Sequence, residues 1–339
     1  MNGYKRIPGS INNRLLLLAI ILGMAGSVSR ASDLRIGIIG LDTSHVINFT
    51  KLINDTADKN HVPGGKVVVG YKGGSPDNEA SAKHLEDYTR QLQEKFGVKM
   101  VDSIEELCAQ VDAVLLHGVD GRPHLEHARP VIKARKPVFI DKPIAGSLRD
   151  AIELVRLAKE SKVPVFSSSA YRFYDSMTEL KKANVGQIRG AISYGPSAFE
   201  PHHPDFFWYG IHPVEALFTV LGTGCESVTR VTAEDTDVVA GKWSGGRSGA
   251  FYALRTGSYA HKVTVFGTKG IAEQKSAGDS YGPLVGEIVK FFQTGVAPVK
   301  LEETLEIIAF MEAADESKRQ GGLPVKISDV LKKNGWKPE

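Results

Sequence analysis

Apolar residues follow two regimes along this chain. Between Leu34 and Ser167, short uninterrupted apolar runs alternate with stretches that place apolar residues three or four apart. Leu34–Gly40, Lys66–Tyr71, Val98–Val101, Ala113–His117, Pro137–Asp141 and Pro164–Ser167 read as strands buried on both faces. Helices fill the intervals. One, capped by Thr43 or Ser44, carries Val46, Phe49 and Leu52 or Ile53. A polar helix runs through Leu92 and Phe96, and others cover Ile104–Cys108 and Leu125–Ala134. Ser147 and Asp150 form a capping box that opens a helix to about Ser161. This alternation predicts a doubly wound parallel sheet covered by helices on both faces.

After Tyr171 strands follow one another directly. Arg189–Tyr194, Ser227–Glu234, Ser248–Thr256 and His261–Phe266 alternate apolar and polar residues between Gly-rich turns, which predicts an open, largely antiparallel sheet with one covered face. Helices are expected at Pro213–Leu221, Leu284–Phe292 and Glu302–Ser317. The expected organisation is an N-terminal α/β domain over 32–160 and a second α/β domain over 161–339. Apolar residues at 42% and charged residues at 24% suit a globular chain and exclude disorder.

The first 31 residues differ from the rest. Lys5, Arg6 and Arg14 precede the apolar run Leu15–Gly23, and Ser29-Arg30-Ala31 presents small residues in the small-x-small spacing. This is the pattern of a secretory signal peptide over 1–31, with an apolar centre too short to span a bilayer. The expected location is therefore the periplasm of a bacterium or the outside of the cell, with no membrane span left after cleavage. The formal charge of +3 belongs to this leader, because its removal leaves 38 basic against 39 acidic residues, a charge near −1. No basic patch remains to hold nucleic acid. Cys108 and Cys225, far apart in sequence, are expected to be two buried thiols.

Four segments resemble the Gfo/Idh/MocA oxidoreductases: Arg35-Ile-Gly-Ile-Ile-Gly40; His124-Leu-Glu-His-Ala with Pro137-Val-Phe-Ile-Asp-Lys-Pro143; Gly210-Ile-His212-Pro-Val-Glu215 with Leu221-Gly222; and Thr294-Gly295 through Ser317. The resemblance covers nearly the whole chain after residue 31. It implies a Rossmann domain joined to an α/β domain with an open sheet, and oxidation or reduction of a sugar or sugar derivative with NAD or NADP. It also implies Lys142 beside the nicotinamide and His212 as acid or base, with a carbohydrate-type small molecule as partner and a homo-oligomer built on the open sheet. A histidine titrates in the range such proton transfer needs. Gly40, Thr43, Ser44, His45, Lys72, Asp120 and Lys142 are the candidate cofactor-binding residues, and Arg172, His203 and Trp208 the candidate substrate residues.

This sequence departs from the family's pattern at the same places. The dinucleotide turn Gly-x-Gly-x-x-Gly reads Gly40-Leu-Asp42-Thr-Ser-His45, with an acid and an imidazole in place of two glycines. Lys72, followed by Ser75, stands where an acid would bind the ribose, which suits a 2′-phosphate better. Trp208 replaces the acid four residues before His212. These departures keep a second reading open, a non-redox descendant that binds or cleaves carbohydrate, and a third, a scaffold that retains only the fold. His202, His203, Asp205, His212 and Glu215 are types that ligate metals, but no metal is expected. Gly278-Asp-Ser-Tyr-Gly282 has the spacing of a nucleophile elbow without the strand that would present it. Asn48 and Asn54 each begin a glycosylation sequon.

Overall fold

β1 (Leu34–Ile39) buries Ile36, Ile38 and Ile39 completely, as the centre of a parallel sheet requires. The computed structural model describes residues 1–3, 33–257, 259–275 and 280–337. All but the first three residues of the expected signal peptide lie outside the described residues, as do Gly278 and Asp279 of the Gly278–Gly282 motif. After β1 come α1 (Ser44–Asn54), β2 (Gly65–Tyr71), α2 (Glu79–Phe96), β3 (Lys99–Met100), α3 (Ile104–Gln110), β4 (Ala113–Leu116), α4 (His124–Lys133), β5 (Val138–Ile140), α5 (Leu148–Ser161) and β6 (Val165–Ser167). The strands lie parallel in the order β3-β2-β1-β4-β5-β6, with the order reversing beside β1. β6 pairs with β5 at the edge of this sheet.

The turn after β1 depends on Gly40. Its φ is 79°, and a Cβ there would stand 2.5 Å from the Gly118 amide nitrogen. Any side chain would push the ends of β1 and β4 apart.

The second domain comprises α6 (Asp175–Lys182), β7 (Ile188–Pro196), α7 (Ile211–Leu221), β8 (Cys225–Thr232), β9 (Thr236–Trp243), β10 (Arg247–Leu254), β11 (Lys262–Gly267), β12 (Ile271–Glu273), α8 (Gly282–Thr294), α9 (Leu301–Arg319), β13 (Val325–Lys326) and α10 (Ile327–Lys333). Its seven strands run β12-β11-β7-β10-β9-β8-β13, antiparallel except for the parallel pair β7–β10. α7 and α9 cover one face. β9 is not anticipated by the sequence pattern. Its inward positions are Asp237, Val239, Gly241 and Trp243, so an acid and a glycine erase the apolar alternation. Cys108 and Cys225 are buried and unbonded to each other, and burial pushes the Cys108 thiol up to about 11.

Buried charge holds the segment between β7 and α7 in place. Arg230, fully buried on β8, contacts Asp237 at 2.7 Å, Asp315 at 2.9 Å and Asp205 at 2.5 Å, and Arg255 pairs with Asp205 and Asp237 at 2.6 and 2.7 Å. That segment then reaches the first domain. His203 Nδ1 lies 2.5 Å from Glu200, and its Nε2 lies 2.8 Å from Asp120, beyond the end of β4. Burial acts to lower the His203 pKa, but the two carboxylates outweigh it and raise it. A raised imidazole pKa contributes stability that is full below the unfolded value, close to 6.5, and lost as pH climbs through the folded value. His203→Gln is therefore expected to lower Tm by roughly 4–8 °C at about pH 6, and by less at about pH 9. Thermal melts of both proteins across this range check it, and a gap that widens with rising pH contradicts it.

Candidate functional site

β5 ends at Ile140, and the side chain of Asp141, the next residue, is buried where the parallel strands deliver their C-terminal ends. Its Oδ2 meets His45 Nδ1 at 2.5 Å and His117 Nδ1 at 2.9 Å, and its Oδ1 accepts the Lys142 amide N–H at 2.8 Å. Burial alone would raise the pKa of this carboxyl. The two imidazoles overcome that and hold it well below the ordinary carboxylate range. Burial pushes the His117 imidazole down, favouring its neutral form.

His45 enters from the first turn of α1. Thr43 caps that helix by accepting the His45 N–H at 3.4 Å. The His45 ring stacks on Phe49, one turn later, at 5.2 Å and 10°, and meets Tyr281 edge-on at 4.9 Å. Lys142 follows Asp141 directly, with its ammonium 5.9 Å from the Tyr209 ring centre. Burial lowers the Lys142 pKa, with Asp141 acting against it.

His212 comes from the second domain, in the first turn of α7. Its Nδ1 lies 2.7 Å from the Ser169 hydroxyl oxygen, so a serine occupies the orienting role that an acid at position 208 would have filled. Burial, then the charges of Lys142 and His45, drive its pKa well below the usual imidazole value, which leaves it unprotonated at neutral pH. Lys142, His212, His45, Thr43, Ser44 and Trp208 all line one cavity of about 300 Å³, walled further by Tyr171, Tyr209 and Tyr281.

Other candidates lie elsewhere. Lys72 pairs with both oxygens of Glu86 on α2 at 2.9 Å, so its charge is neutralised at the surface. Arg172 does not line the cavity. It bridges Glu215 at 2.9 Å and Glu303 at 2.7 Å, tying α7 to α9. Asp120 is bound by Arg122 and His203, and His203 supports the back of Trp208, with ring centres 4.9 Å apart. The five residues with metal-ligand chemistry around positions 202–215 are likewise dispersed. His202 turns to Glu200 and Asp205 to Arg230, while Glu215 accepts from the Ser168 hydroxyl, the Ser169 amide and Arg172. Among the described residues, the metal-capable atoms that do converge are those of His45, His117 and Asp141, within 4.8 Å of one another.

Asp42 settles how the dinucleotide turn is used. Its carboxylate is buried, accepting the Ser81 hydroxyl at 2.6 Å and the Val119 amide at 2.8 Å. Arg122, beyond β4, reaches Asp77, beyond β2, at 2.8 Å. Both ties cross the crevice beside β1 where a dinucleotide would lay its pyrophosphate and adenosine. The cavity holds about 300 Å³, and no residue of β2 lines it. A dinucleotide does not fit this groove.

The sequence passes over His117, Ser169 and Tyr281. No motif marks them, and each acquires its place through strand order or an inter-domain contact. Asp141 stands out in sequence only as a departure, an Asp before Lys-Pro.

Residues 34–169 match the model of a family described as oxidoreductases with an NAD-binding Rossmann fold. The chain is 28% identical over 213 residues to myo-inositol 2-dehydrogenase of Thermotoga maritima, covering 55% of this chain and 64% of that protein. It is 28% identical over 163 residues to an uncharacterized oxidoreductase of Streptococcus pneumoniae, covering 42% and 43%. The chain thus spans less than two thirds of the length of these curated relatives. A solved structure of scyllo-inositol dehydrogenase from Lactobacillus casei, with bound NAD(H) and scyllo-inositol, superposes with a TM-score of 0.72 at 16% identity over 87% of this chain and 99% of that one. At that identity the likeness concerns the fold alone. Motifs and aligned relatives agree that residues 34–169 belong to the Gfo/Idh/MocA oxidoreductase family, and the architecture of the chain is similar to that of solved oxidoreductases.

Proposed function

We propose that this chain acts on a small polyhydroxylated, sugar-type molecule held in the cavity between Lys142 and His212. The observation that carries the reading is the convergence of those two side chains, from different domains, on one cavity of about 300 Å³. That volume lies at the small end of ligand pockets and suits a single six-membered ring. Trp208, Tyr171 and Tyr209 offer aromatic faces to such a ring, and Thr43 and Ser44 offer hydroxyls. In this reading His212, kept unprotonated by burial, accepts a proton from the ligand, and the Lys142 ammonium balances the negative charge that develops on oxygen. The named inositol dehydrogenases among the relatives act on molecules of this size and chemistry, which supports the substrate class. Removing hydride from an alcohol requires an acceptor as well. The groove does not fit a dinucleotide as that acceptor, so the chemistry assigned to these side chains is binding and proton transfer.

Titration calorimetry with myo-inositol and free hexoses tests the reading. At least one is expected to bind, with affinity falling by about tenfold or more in Lys142→Ala and in Trp208→Ala, a loss of at least ~1.4 kcal/mol. Binding that neither substitution weakens, or no binding by any of these ligands, overturns it. The closed groove makes a separate prediction. Asp42→Gly combined with Arg122→Ala is expected to raise NAD or NADP affinity by about tenfold or more over the unsubstituted chain, again ~1.4 kcal/mol. Equal affinity in the two proteins would show that these ties do not exclude the nucleotide.

A further inference from the structure

His45 stands at the position where a dinucleotide turn keeps its third glycine. A mere loss of nucleotide binding would not require what replaces it there. The replacement is an imidazole with one nitrogen on a buried carboxylate at 2.5 Å and its ring held between Phe49 and Tyr281, and it lines the same cavity as His212. Asp141 receives a second imidazole, His117, and a backbone amide, so its position is set by three donors and a buried setting. A carboxylate that orients an imidazole and balances its charge, with that imidazole open to a cavity, is the arrangement of a general acid or base. His212 enters from the other domain, with its own nitrogen on Ser169. The cavity therefore holds two imidazoles on separate elements with a lysine beside them.

We propose that His45, oriented by Asp141, is a second acid–base residue working with His212, and that the site moves protons on a polyhydroxylated ketone without net oxidation. The inference rests on the sugar-type reading of the cavity and names the carbonyl form of that substrate class. His212 takes the proton from the carbon beside the carbonyl. The C–H electron pair becomes the C=C bond of an enediolate as the carbonyl π pair moves to oxygen, where the Lys142 ammonium balances the charge. His45, held on Asp141 through Nδ1, returns a proton to that carbon as the C=O bond re-forms. One C–H bond breaks and one forms, so the step needs neither oxidant nor reductant. The proton gained by His212 and lost by His45 re-equilibrates through water. Return of the proton to the opposite face inverts the carbon, which makes the reaction class an epimerisation.

The test uses the full chain with 2-keto-myo-inositol in D2O, followed by proton NMR, with binding of myo-inositol measured separately. Wild-type protein is expected to place deuterium on the carbons flanking the carbonyl. Folded His45→Gly should lose about 100-fold or more of that rate and recover part of it with added imidazole. Asp141→Asn should lower kcat for exchange by about tenfold or more with KM changed by less than about threefold, a split that general loss of structure would not give. Exchange by His45→Gly at the wild-type rate overturns the inference. Abolition of wild-type exchange by EDTA also does so, by assigning His45, His117 and Asp141 to a metal. Wild-type protein that binds myo-inositol yet exchanges nothing overturns this inference alone, whereas protein that binds no ligand of the class overturns the reading beneath it.

Discussion

The buried carboxylate of Asp141 organises the rest of the site. A negative charge taken out of water must be matched by donors, and here they come from three places: α1 through His45, the end of β4 through His117, and the peptide that carries Lys142. Satisfying that one charge fixes the ring of His45, the end of the fourth strand and the start of the lysine side chain together. The parallel sheet makes this possible, because the order β1-β4-β5 brings residues 45, 117 and 141 to one edge.

A second set of buried charges fixes the other wall. Arg230 and Arg255 hold Asp205, Asp237 and Asp315 in place, and with them the segment that presents His203, Trp208 and Tyr209. His203 then carries this wall to Asp120 on the first domain. Arg172, between Glu215 and Glu303, braces α7 beneath His212. The residues touching the cavity are thus supported by ion pairs that do not touch it. Asp120, His203 and Arg172, named above as candidate binding residues, lie in these ion pairs and outside the cavity lining.

The same economy explains the dinucleotide turn. Gly40 remains glycine because two strand ends meet there, a requirement of the fold. The second and third glycines serve close approach of a pyrophosphate, a requirement of the ligand. Those two have changed, to an acid that ties the neighbouring loops and an imidazole paired to Asp141. The turn keeps what folding demands and is rebuilt where nucleotide binding made its demands.

Much of the fold was legible in the sequence because burial on both faces forces continuous apolar runs, and the six parallel strands all fall on segments expected to be strands. β3, two residues long, is carried by pairing with β2 more than by its own pattern. β9 was illegible because its inward face pairs Asp237 with buried arginines and packs Gly241 beside Trp243, features invisible without the neighbouring strands. Local pattern was enough for the two kinds of sheet, and the resemblance pointed to Lys142 and His212, since each of these is written in residues close together along the chain. Which charged residues face the cavity and which brace it was settled only by folding. That outcome depends on which buried charge finds which partner, and the partners lie tens of residues away along the chain.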